Sequence, residues 1–150
     1  MTIDTTVTLT ELTPTPAVVL ARRYERDTLD QTIDEAIRRV RKAVTAARVP
    51  TAGPPFVRFL SIGDRGEIEV GLPLDGPHVV PTLRATILPG GTAASAWHRG
   101  DESGILDLLR LVERWVADNG TPAGPPWVWY WTPGDTDPFR AQVVWPMRRP

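Results

Sequence analysis

The residues best equipped to recognise a molecule lie together at Trp127-Val128-Trp129-Tyr130-Trp131, where three indoles and a phenol fall within one short extended segment. Large flat rings bury much apolar area and stack on other rings, so the chemistry they offer is the binding of an aromatic compound rather than a bond-breaking step. Strand side chains alternate, which puts the three tryptophans on one face and Val128 and Tyr130 on the other. Only one of those faces can line a cleft. For Trp127, and for Trp115 further back, core packing is explanation enough.

Other chemistries lack their parts. The chain has no cysteine, hence no disulfide and no thiolate, and its only histidines are His78 and His98. His98 with Asp101 and Glu102 makes at most a loose ligand set without the spacing of a recognised metal motif, so no metal is expected. Ser61, Ser95 and Ser103 lack the glycine-flanked elbow of a nucleophile. The glycines at 63 and 66 and at 90 and 91 lack the lysine-serine ending of a phosphate loop and read as turns. A binder rather than an enzyme is expected, with no catalytic residue and no cofactor.

The net charge is −1 over 150 residues, which gives no reason to expect nucleic acid. The basic run Arg38-Arg39-Val40-Arg41-Lys42 reads as a solvated helix face, because Asp30, Asp34 and Glu35 neutralise the same helix. Met1-Thr2-Ile3-Asp4 lacks the basic and apolar regions of a signal peptide, and no apolar run approaches the ~20 residues of a membrane helix. A cytoplasmic protein that avoids membranes is expected, with no DNA-binding segment attached.

The segments that must position the aromatic strand come in pairs. Ala52-Gly53-Pro54-Pro55-Phe56-Val57-Arg58-Phe59-Leu60 is an earlier version of Ala123-Gly124-Pro125-Pro126-Trp127-Val128-Trp129-Tyr130-Trp131. Each follows a helical pattern. Leu29, Ile33, Ala36, Ile37, Val40, Val44 and Ala47 keep one apolar face, with Thr28 to Gln31 as a capping box at its start. Ile105, Leu108, Leu109, Val112, Trp115 and Val116 do the same in a second helix, which starts near Asp101 or Ser103 and stops at Asn119-Gly120, residues that tolerate a left-handed cap. Strands are expected over 7–12 and 17–23 around the Pro14–Pro16 break, over 56–62 and 67–74, over 82–88 and 92–98 around Pro89-Gly90-Gly91, and over 127–131 and 140–147.

The fold class that follows is α+β: duplicated strand-helix-strand-strand halves, about 1–75 and 82–150, forming one largely antiparallel sheet within a single domain. Two helices lie on one face. The other face has none left to cover it, so it is either polar and solvated or curled into a cleft along the pseudo-twofold seam between halves, where ligands tend to bind.

The order and spacing of Gly53-Pro54-Pro55-Phe56, Glu69-Val70-Gly71-Leu72-Pro73, Leu88-Pro89-Gly90-Gly91, His98-Arg99-Gly100, Asn119-Gly120, Gly124-Pro125-Pro126-Trp127 and Val143-Val144-Trp145-Pro146 carry a resemblance. From Val18 to Pro146 the chain resembles the GyrI-like family, the effector-binding domain found alone or joined to the DNA-binding part of multidrug-responsive regulators. The resemblance implies a cleft for bulky, flat, often cationic hydrophobic compounds and, in one branch, hydrolysis of cyclopropane-bearing natural products. Two glutamate positions of many members are Val128 and Gln142 here, and Asp101-Glu102 stands where members often show Pro-Tyr. Neither Val128 nor Gln142 can pair a desolvated cation or act on water, which favours binding over hydrolysis.

The family's glutamate position makes the Val128 and Tyr130 face the expected cleft lining, with Val57 and Phe59 as first-half counterparts, Gln142 on the neighbouring strand, and Trp97 and Trp145 beside them. Glu69 holds in the first half the place of Gln142 in the second; it either sees the cleft or lies on an exposed strand face, as does Glu67. A stand-alone module that binds or sequesters an aromatic hydrophobic compound is the leading expectation. A divergent hydrolase using Tyr130 with Glu69 or Glu102, and a partner-binding subunit with exposed tryptophans, are the alternatives.

Overall fold

A computed structural model describes residues 6–100, 104–132 and 139–150. Nine strands and two α-helices follow in the order β1 (Thr8–Leu12), β2 (Thr15–Glu25), α1 (Leu29–Ala46), β3 (Phe56–Phe59), β4 (Arg65–Pro73), β5 (Arg84–Leu88), β6 (Gly91–Gly100), α2 (Ile105–Asn119), β7 (Thr121–Pro122), β8 (Trp127–Tyr130) and β9 (Phe139–Arg148), with a 3₁₀ turn over Arg26–Thr28 ahead of α1. The sheet runs β1-β6-β9-β8-β3-β4-β2-β5, and β7 pairs with β9. Every pairing is antiparallel.

Both helices bury their apolar stripe against the same sheet face. Leu29, Ile33 and Ala36 of α1 and Ile105, Leu109, Val112 and Val116 of α2 pack in one cluster with Val57, Ile68, Val70, Ala94, Ala96, Val128 and Val143. The period of 3.6 on the helices and of 2 on the strands places these residues face to face, and the burial of their side chains is the main stabilising term of the fold. Val40 and Val44 continue the α1 stripe onto Val18 and Leu72.

The opposite face curls. Ala17, Val19, Phe56, Leu88, Ala93, Trp127 and Val144 form a second cluster there, with Leu12 and Trp129 packed against it. Leu12 belongs to one edge strand and Leu88 to the other, so the two edges bend toward each other across this face. A flat sheet could not bury Trp127 and Phe56 to 2% and 0% with no helix above them; a half-barrel can, because its own strands supply the cover.

Two local expectations differ from the structure. Thr28 makes no side-chain cap: the 3₁₀ turn feeds directly into α1, the Leu29 N–H is already taken by the Arg26 carbonyl, and the Thr28 carbonyl instead accepts the Thr32 hydroxyl at 3.0 Å. Gly120 ends α2 in an extended conformation (φ 169°, ψ −145°) rather than a left-handed one. A glycine is needed there for another reason, since a Cβ would collide with the Arg148 carbonyl and the Met147 side chain of β9. The expected start of α2 at Asp101 or Ser103 lies outside the described residues.

Candidate functional site

The register of the central strands decides which side chains share a face. Phe56, Val57 and Arg58 of β3 stand opposite Trp129, Val128 and Trp127 of β8, and Trp129 in turn stands opposite Gln142 of β9. Gln142 therefore lies with the tryptophans and not with Val128 and Tyr130, whose cross-strand partners are Val143 and Ala141. Val57, Phe59, Val128, Tyr130 and Trp145 all sit in the helix-side core, none more than 5% exposed. The expected grouping of Gln142 with Val128 is corrected by this pairing, and the expected set divides: Glu69, Trp97 and Gln142 face the half-barrel, the other five face the helices.

The half-barrel face carries an apolar floor and two polar groupings. The floor is Phe56, Trp127, Trp129 and Val144, with the Phe56 and Trp129 rings edge-to-face at 5.4 Å between centroids. On one flank, Glu69 of β4 is buried between two guanidiniums. Arg58 donates to Glu69 Oε1 through Nε at 2.8 Å and Nη2 at 2.7 Å, and to Thr86 Oγ1 at 3.1 Å, while Arg84 pairs with Glu69 Oε2. Burial pulls the Arg58 guanidinium down from its ordinary value, because desolvation disfavours the charged form. With both oxygens engaged by arginines of its own chain, Glu69 has little negative potential to offer a ligand cation.

On the other flank Trp131 Nε1 donates to Gln142 Oε1 at 3.1 Å and Gln142 Nε2 donates to Ser95 Oγ at 2.9 Å. The amide is thus held by a donor on one side and an acceptor on the other. The Trp97 and Trp131 rings lie 6.1 Å apart, tilted by 31°, and the Arg140 guanidinium rests over Trp97 at 5.4 Å from its centroid. Yet Trp97 stays 44% and Trp131 48% exposed. Indoles oriented by hydrogen bonds and stacking, but open to solvent, present ring surface that a flat apolar compound can cover at little cost in side-chain entropy.

Residues of this face beyond those expected are Arg58, Arg84, Thr86 and Arg140, and Ser95 enters as a hydrogen-bond partner of Gln142 rather than as a nucleophile. A guanidinium inside the otherwise apolar run Phe56-Val57-Arg58-Phe59 was a readable signal, since a buried charge calls for a partner. Among the described residues no three His, Cys, Asp or Glu side chains cluster as a metal site. Asp101 and Glu102, named as candidates beside His98, lie outside the described residues, and no described helix is long and apolar enough to cross a membrane. On the helix side, Phe59, Pro126, Arg110 and Trp145 border a groove of about 510 Å³.

Solved structures share this architecture. The chain superposes on the C-terminal domain of EcmrR with a TM-score of 0.78 at 15% identity, covering 99% of this chain and all of that domain. The fold is the one these proteins share. In the EcmrR–DNA complex the match has a TM-score of 0.75 at 14% identity and the chain spans 58% of the EcmrR length. SAV2435 bound to tetraphenylphosphonium matches with a TM-score of 0.66 at 12% identity over 95% of this chain and 94% of that one. A hydrolase from Listeria innocua matches at 0.62 and 9% identity over 95% and 91%. No family model and no curated protein sequence matches the chain.

Proposed function

We propose that this protein is a small-molecule-binding module of the GyrI-like, effector-binding kind, which takes flat hydrophobic aromatic compounds in the half-barrel on the sheet face turned away from the helices. The observation that carries the reading is the Trp97–Trp131 pair: two indoles fixed by Gln142 and Arg140, half exposed, and set beside the buried aromatic floor. Exposed aromatics in a concavity with a few convergent polar groups are the usual make-up of a ligand site. The bound tetraphenylphosphonium in SAV2435 supports small-molecule binding by this fold.

The duplication belongs to this reading. Arg58 faces Glu69 across β3 and β4 as Trp129 faces Gln142 across β8 and β9, and Val57 meets Val128 where β3 and β8 join. Equivalent positions of the two repeats thus supply an ion pair on one flank and an aromatic–amide pair on the other, with the cleft along the seam. Of the proposed ligand residues, Glu69, Trp97 and Gln142 are kept; Trp129, Trp131 and Arg140 join them.

Hydrolysis is the weaker reading. Both oxygens of Glu69 are already engaged by guanidiniums, which leaves it poorly placed to act on a water, and Tyr130 is packed in the core. Titrating tryptophan fluorescence with flat hydrophobic dyes separates binding from a role as a partner-binding surface. Saturable quenching is expected; its absence with every dye, together with self-association that quenches the same indoles, contradicts the ligand reading and favours the interface.

A further inference from the structure

We propose that the ligand of the Trp97–Trp131 end is an aromatic acid, a flat ring system carrying a carboxylate or sulfonate, with its rings on the two indoles and its anionic group between Arg99 and Arg140. The inference rests on the cleft reading above and adds the charge of the ligand to it.

Three observations carry it. First, Arg99 of β6 and Arg140 of β9 stand directly opposite each other in the ladder, on the same face as Trp97 and Gln142. Like charges in directly opposed positions destabilise a sheet unless an anion comes between them. Second, Arg140 Nε is buried and has no hydrogen-bond partner among the described residues, although its guanidinium is already steered over the Trp97 ring. A donor in that state is costly until it is satisfied, and a guanidinium fork suits a carboxylate or sulfonate. Third, among the described residues the carboxylates of this face lie beside arginines of the chain. Arg58 and Arg84 hold Glu69, Arg65 pairs with Glu25, and Arg23 stands opposite Glu67. Arg99 and Arg140 instead have each other, not a carboxylate, opposite them in the ladder, next to the exposed indoles.

An aromatic cation would meet two arginines and an amide there. Gln142 offers such a ligand only a dipole, and its oxygen is taken by Trp131. An aromatic acid gains ring contact and a charge-assisted hydrogen bond at once.

The test uses the full chain and three near-isosteric probes, naphthalene-1-acetate, naphthalene-1-acetamide and 1-naphthylmethylammonium, measured by calorimetry at low salt. The acid should bind tightest, by about tenfold over the cation, the size expected of one charge-assisted hydrogen bond. In Arg140→Gln and in Arg99→Gln the acid-to-amide affinity ratio should fall about tenfold, while Arg38→Gln on the outer face of α1 should leave the ratio as it was. A cation that binds as well as the acid, or a ratio unmoved by both arginine changes in folded protein, overturns the proposal and leaves the cleft reading standing. No binding by any of the three overturns both.

Discussion

Glu69→Gln lowers the stability of the protein by about 3–5 kcal/mol, the cost of breaking a buried ion pair by removing one partner. The expectation follows from what the change leaves behind. Arg58 is 9% exposed, and its Nε and Nη2 both point at the carboxylate oxygen that glutamine would replace with a neutral amide. A buried guanidinium cannot shed its proton to escape, so the desolvation penalty remains without its compensation. Arg84, with 61% of its side chain exposed, simply turns to water and contributes little. The companion change separates pairing from packing: Arg58→Met with Glu69→Gln should recover most of the loss, because a well-packed apolar side chain serves a buried site about as well as an ion pair. Urea denaturation at constant pH measures both. A loss below about 1 kcal/mol for Glu69→Gln would mean that Arg58 reaches water and the pair behaves as a surface one.

Gln142→Glu shifts ligand preference by charge, with the network around it retained. The new carboxylate still accepts from Trp131 Nε1, and the Ser95 hydroxyl, now an acceptor of the Gln142 amide, turns to become a donor. A lipophilic cation should gain about 1–3 kcal/mol over its neutral isostere, the scale of adding a charged hydrogen-bond partner. Glu69 does not blunt this gain, because Arg58 and Arg84 already occupy its oxygens. Calorimetry of a matched cation and neutral compound on both proteins gives the difference; an unchanged preference would place position 142 away from the ligand.

The sequence was legible where period alone carries the information. The apolar spacing from Leu29 to Ala47 marks α1 to within a residue of its observed Leu29–Ala46 span, and the Gly-Pro-Pro segments mark the starts of β3 and β8. Where information lies between strands, the sequence alone does not carry it. Alternation shows that Val128 and Trp129 point oppositely, but it does not say which of them Gln142 joins; that is fixed by register, and a shift of one residue reverses the answer. The resemblance supplies a register by analogy that groups Gln142 with Val128, whereas the strand pairing groups it with Trp129. Arg58 was passed over for a related reason, since its partner lies on another strand and only pairing brings Glu69 opposite it. Thr28 and Gly120 do not form the caps that their residue types suggest, because they answer to neighbours, a preceding 3₁₀ turn and the backbone of β9, rather than to their own helix ends.

Ligand binding on the sheet face opposite the helices is tested most directly by the six indole N–H signals of the chain, which report on both faces at once. Assigned by single Trp→Phe replacements and followed by two-dimensional NMR as neutral naphthalene-1-acetamide is added, the signals of Trp97 and Trp131 should move most and saturate together. Those of Trp115 on α2 and Trp145 in the helix-side core should stay in place. Movement of Trp145 and Trp115 with Trp97 and Trp131 unperturbed would put the ligand among the helices and contradict the account.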